Sequence, residues 1–125
     1  PSLTPSQSPS ACIIPTTGVT GLNYIGDNDC QDITGKVYDY VQVDEAGVIT
    51  TVAACYAKCN DIVDWANVGR GLVFSCALDV CLCYFDDGGL PSNCANKYHQ
   101  CESSNSGTGA MSAGGSYNGK CFEKA

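Results

Sequence analysis

Ten cysteines in 125 residues constrain this chain more than any other feature, and eight of them fall between Cys55 and Cys121. That density marks a disulfide scaffold, and an even count is what a fully paired set of bridges requires. Thiols so crowded persist as disulfides only in an oxidising compartment. The expectation is a secreted, extracellular protein at a cell surface or in an extracellular matrix. Cys12, Cys30, Cys55, Cys59, Cys76, Cys81, Cys83, Cys94, Cys101 and Cys121 are all read as bridge partners. Each bridge that closes a long loop stabilises by about 2–4 kcal/mol, chiefly by restricting the unfolded chain.

A chain of this length forms one domain with a modest core that the bridges reinforce. Thirteen acidic residues against six basic ones leave a net charge of −7. Nucleic acid and anionic membranes are bound through cationic surfaces, so this balance argues against both. No apolar run approaches the roughly 20 residues that span a bilayer. The longest, around positions 72–74 and 80–85, is broken by Ser75 and Asp79. The chain opens on a polar stretch and not on a signal peptide, which reads as a mature or excised segment.

Residues 1–10 read PSLTPSQSPS, with Pro-Ser recurring at positions 1, 5 and 9. Such a tract cannot pack a core and favours extended polyproline II. Ser and Thr beside Pro are typical of O-glycosylated stalks. Ser2, Thr4, Ser6, Ser8, Ser10, Thr16 and Thr17 are the candidate attachment sites, whereas no Asn-X-Ser/Thr sequon occurs. The expected organisation is a Pro/Ser/Thr-rich tail over 1–21 and a disulfide-rich domain over 22–125.

Within that domain, residues 22–25 suit a short strand stopped by the turn-like Gly26-Asp27-Asn28-Asp29. Residues 37–43 (VYDYVQV) are β-branched and aromatic, with Val37, Val41 and Val43 on one face and Tyr38, Tyr40 and Gln42 on the other. Thr50 is placed to cap a helix over TVAACYAKCND, ending by Asn60, in which Cys55 and Cys59 share one face. Residues 71–76 and 80–85 read as an antiparallel hairpin turning at Ala77-Leu78-Asp79. Beyond Pro91 the chain is polar and glycine-rich, which predicts loop until a last short strand at 120–123.

Strand, helix with Cys-x3-Cys, then a hairpin carrying cysteines is a layout similar to that of PAN/apple-like modules. The residues that carry the likeness are Cys55-Tyr-Ala-Lys-Cys59, Gly71-Leu-Val-Phe-Ser-Cys76 and Cys81-Leu-Cys83-Tyr-Phe-Asp-Asp-Gly. The resemblance covers roughly residues 22–125. It implies an α+β fold: a small antiparallel sheet with one helix packed across it, stapled by disulfides. It also implies Cys59–Cys76 and Cys55–Cys81 (or Cys83) as helix staples and Cys30–Cys121 as an end-to-end bridge. Cys12, Cys83, Cys94 and Cys101 are additions to the plain family pattern. The Gly-Thr-Gly and Gly-Lys-Cys-Phe ending, with the Pro/Ser tract, resembles secreted modules of diatoms and related algae. A rival likeness is the eight-cysteine CFEM module, which would make Asp79 a haem-iron ligand. Asp79 stands two residues before Cys81 where that family has three, and CFEM modules are helical where this chain favours strand.

Catalytic signals are sparse. The single histidine, His99, lies in a polar stretch and reads as a solvated surface residue, so a small hydrolase built on it ranks last. Cys81-x-Cys83 has a metal-ligand look, but in an oxidising compartment disulfide formation prevails. Asp44-Glu45 and Asp86-Asp87 occupy turn positions that favour Asp for backbone reasons. Gly26–Asp32 alternates oxygen ligands like a calcium loop, yet it lacks the sixth-position Gly and the closing Glu. No metal, no cofactor and no catalysis are expected. Seven tyrosines and Trp65 suit an interface. Tyr24, Tyr38 and Tyr40 form the candidate binding face, with other extracellular proteins, glycans or further copies of the chain as partners. The expectation is a non-catalytic structural or interaction module, a subunit of a surface fibre, filament or cell-wall matrix.

Overall fold

Residues 71–75 and 80–85 are apolar at nearly every position, the pattern of strands covered on both faces. A computed structural model describes residues 14–62, 64–75, 77–115 and 118–125, and it places these two strands inside a six-stranded sheet. The elements in chain order are β1 (Leu22–Asp27), β2 (Asp29–Asp32), β3 (Asp39–Gln42), α1 (Val52–Asn60), α2 (Trp65–Val68), β4 (Gly69–Ser75), β5 (Val80–Phe85), α3 (Cys94–Lys97), β6 (Gln100–Glu102), β7 (Met111–Gly114) and β8 (Lys120–Lys124). The sheet runs β1-β8-β4-β5-β3-β6 with every pairing antiparallel. A separate antiparallel ribbon pairs β2 with β7.

Period-2 alternation divides the core into two layers, one on each face of the sheet. One layer joins Val41, Leu72, Phe74, Phe85 and Phe122 to Val52, Cys55 and Cys59 of α1 and to Trp65. The other joins Tyr38, Val73, Leu82, Tyr84 and Cys121 to Cys30 and Met111 of the ribbon. Disulfides staple each face. Cys55–Cys81 and Cys59–Cys83 tie α1 to β5, and Cys30–Cys121 ties β2 to β8 on the opposite side. A fourth bridge, Cys94–Cys101, closes the excursion through α3 to β6.

The protein is mostly β, and among the described residues α1 is the one helix longer than a single turn. Cys30–Cys121 and Cys55–Cys81 match the resemblance, whereas Cys59 bonds Cys83 and not Cys76. Cys12 and Cys76 lie outside the described residues, as do the candidate glycosylation sites Ser2, Thr4, Ser6, Ser8 and Ser10. Thr51, and not Thr50, caps α1: its side-chain oxygen accepts from the Ala54 amide at 3.1 Å. Val37 packs with the layer of Tyr38 and Tyr40, apart from Val41 and Val43. The polar region after Pro91 contains α3, β6 and β7 as well as loop. Ile14 and Val19, from the stretch that composition assigns to the tail, belong to the α1-side core; Thr16 and Thr17 are exposed.

Trp65 shows how α2 is locked. Its ring is fully buried, its indole N–H donates to the Tyr84 carbonyl at 3.1 Å, and Tyr56 meets it edge-on. The Lys124 ammonium sits 5.0 Å from the ring centroid and donates to the Trp65 and Ala66 carbonyls. Those carbonyls close the short helix, so the C-terminal strand holds it against the sheet.

Candidate functional site

The expected tyrosine face does not form. Tyr38 is fully buried and donates to the Gly109 and Ala110 carbonyls at 2.7 and 3.0 Å. Burial pushes its hydroxyl above the ordinary tyrosine range. Tyr24 packs edge-on against Phe122 on the α1 side, whereas Tyr40 packs against Tyr84 on the ribbon side. Strands β8, β4 and β5 separate the two. The reason is the ribbon, which covers a face that the sequence leaves looking open.

The acidic positions of 27–32 do not converge on a common point. Asp27 pairs with Lys120 at 2.6 Å and accepts from the Tyr24 hydroxyl. Asp29 accepts from the Tyr84 hydroxyl and from the Cys30 amide. Asp32 accepts from the Thr34 hydroxyl and from the amides of Thr34, Lys36 and Thr108. Among the described residues, the sulfurs of Cys55, Cys59 and Cys81 are the one group close enough to hold a metal, and all three are in disulfides. Asp79 sits in the β4–β5 turn with φ of 50°, and His99 is exposed between α3 and β6.

Carboxylates instead organise the loop over 103–110. Asp39 accepts from the Asn105 amide at 3.0 Å, Asp32 from Thr108 at 3.2 Å and Asp86 from Gly109 at 2.9 Å. Burial alone would raise the Asp86 carboxyl. Its hydrogen bonds from Arg70, Gly109 and Thr108 prevail and hold it below the usual range. Asp32 is held far below that range, first by the Thr34 hydroxyl and then by the Lys36 amide. Two backbone bonds complete the seam, from Gly107 to the Val37 carbonyl and from Asp87 to the Gly107 carbonyl. A glycine-rich stretch without regular structure is thereby fixed in place.

Beside this seam lies a cleft of about 450 Å³. β5 ends at Phe85, and the chain reverses through Gly88 (φ of 80°) before Pro91 and α3. The Cys94–Cys101 bridge brings α3 back to β6, which pairs with β3 at the sheet edge. The walls are Leu90, Pro91 and that bridge; Ser92 and Ser103 add hydroxyls, and Asp39 and Asp87 supply carboxylates. Asp39 is only 2% exposed, with its oxygens accepting from the Asn105 and Gly88 amides. Desolvation raises its pKa against the pull of those two bonds, and the negative charges of Asp87 and Glu102 raise it further. Burying a carboxylate is costly unless a cation or several donors offset it. Among the described residues Asp39 has no cationic partner: the ion pairs are Lys58–Asp44, Arg70–Asp86 and Lys120–Asp27.

The sequence pattern singles out neither Asp39 nor the cleft. The legible signal was an acidic residue sharing its alternation with Val41 and Val43. Compared with known proteins, the chain matches no family model, no curated protein and no solved structure.

Proposed function

We propose that this chain is a non-catalytic extracellular structural and interaction module, built in the manner of a PAN/apple-like domain. Its role is that of a subunit in a surface fibre, filament or cell-wall matrix, where it binds protein or glycan. The observation that carries this reading is the stapling of both sheet faces. Two bridges hold α1 on one side, and Cys30–Cys121 holds the ribbon on the other. Covalent closure of both layers restricts local opening, which suits a part exposed to shear and proteases outside the cell. The acidic cleft at Asp39 and Asp87 supplies a recognition surface beside the rigid sheet. In this reading the Pro/Ser/Thr-rich tail carries O-linked sugars.

Sedimentation velocity and negative-stain electron microscopy of the native material test the assembly. Ordered fibres or a defined oligomer are the expected result. A strict monomer at all concentrations, with an unmodified tail by mass spectrometry, would overturn it.

A further inference from the structure

We propose that the cleft beside β3 is a receptor for a basic side chain, lysine or arginine, of an extracellular partner protein. The proposal rests on reading the chain as an extracellular interaction module and names the chemistry of what one of its sites recognises. Three independent features point the same way. The cleft volume of about 450 Å³ falls among small-ligand sites, which span roughly 300–1,000 Å³. Asp39, one of its lining residues, is almost fully buried, and among the described residues it has no cationic partner. Its two oxygens each accept one backbone amide, which leaves lone pairs for a further donor. The walls then sort the ligand: Leu90, Pro91 and the Cys94–Cys101 bridge suit an aliphatic stem, and Asp87 at the exposed rim suits a charged head.

Other ligand classes fit less well. The described lining has no aromatic side chain on which a sugar ring could stack, and it has no cation to hold a carboxylate or phosphate. The negative charges of Asp87 and Glu102 both bear on Asp39, and an anion in the cleft would meet the carboxylates of Asp39 and Asp87. A basic side chain does the reverse. It supplies the counter-charge that desolvated Asp39 lacks, and the protein's net charge of −7 steers it inward.

The test is a two-dimensional amide NMR titration of the folded, oxidised chain with Nα-acetyl-lysine methylamide and Nα-acetyl-arginine methylamide. Nα-acetyl-norleucine methylamide serves as the uncharged control. Saturable shifts at the Gly88 and Asn105 amides with a basic probe, absent with norleucine and weakened by added salt, are expected. Asp39→Asn should weaken binding by about tenfold or more. Asp87→Asn, at the exposed rim, should weaken it less and leaves the fold intact should Asp39→Asn not fold. No saturable shift with either basic probe, equal binding of norleucine, or unchanged binding by the Asp87→Asn and Asp39→Asn variants would overturn the proposal. Any of these results would leave the assembly reading standing, since microscopy tests that separately.

Discussion

Cys59 is bonded to Cys83 with their Cα atoms 5.5 Å apart, and the Cys55–Cys81 bridge one helical turn earlier has the same Cα separation. The match is geometric. Four residues of α-helix advance about 6 Å and two residues of strand about 6.6 Å, so an i, i+4 pair faces an i, i+2 pair almost rung for rung. α1 therefore lies along β5 in the same chain direction, and the Cys59 and Cys81 sulfurs come within 3.9 Å. Peptide mapping without reduction should recover Cys55–Cys81 and Cys59–Cys83. Recovery of Cys59–Cys76 would contradict this arrangement.

The bridges differ in the length of chain that they close. Cys30–Cys121 spans 91 residues and Cys59–Cys83 spans 24. On loop-closure entropy alone, replacing both members of the longer bridge by alanine should cost about 1 kcal/mol more than doing so for the shorter one. Guanidinium unfolding of the two double variants measures this. Equal losses would show that helix packing outweighs chain entropy here.

Cys12 and Cys76 lie outside the described residues, whose four bridges join the other eight cysteines. Both are read from sequence as bridge partners, so the same non-reducing map should recover neither as a free thiol. A mixed disulfide to a second chain would assign these positions to assembly.

Acid should release the 103–110 loop. Asp32 and Asp86 have pKa values depressed below the ordinary carboxylate value, near about 3.9 in unfolded chains. Their contribution is therefore fully present above that value and is lost as pH falls through the lower folded values. Asp39 has the opposite sign, because its raised pKa means that protonation begins above the unfolded value. Hydrogen exchange should show the Asn105 amide, which donates to Asp39, keeping its protection on mild acidification, because protonating a carboxyl with a raised folded pKa favours the folded state. Thr108 and Gly109, which donate to Asp32 and Asp86, should lose protection before it, as pH falls through the depressed values of their acceptors. Simultaneous loss at all three would indicate global unfolding.

Gly71 is a packing requirement of the central strand. A Cβ at this position would lie 2.1 Å from the Phe122 carbonyl oxygen on β8 and 2.9 Å from the Met111 side chain. The first neighbour is backbone and cannot yield without moving the strand. Gly71→Ala should destabilise by about 1–3 kcal/mol, as overpacked core sites do, with a lowered thermal midpoint. An unchanged midpoint would mean that β4 and β8 separate more easily than their pairing suggests.

Much of the framework is readable from local pattern. The alternating and continuous apolar runs locate β3, β4 and β5, and helical spacing locates α1. The short strands β2, β6 and β7 are not legible, because three or four polar or small residues carry no period of their own. They exist because partner strands hold them, with Cys30–Cys121 and Cys94–Cys101 adding covalent ties at β2 and β6. The tyrosine face failed for the same reason: alternation tells which residues share a side, but not whether a second layer covers it.

The cysteines and the charge balance, by themselves, determine a disulfide-rich acidic domain suited to an oxidising compartment, because cysteine density and net charge depend on composition alone. Which sulfur meets which, that Tyr38 is buried, and that Asp39 lies beside a cleft were decided only by tertiary structure. Each depends on contacts between segments far apart in the chain, and those follow from how the ribbon and α1 pack onto opposite faces of one sheet.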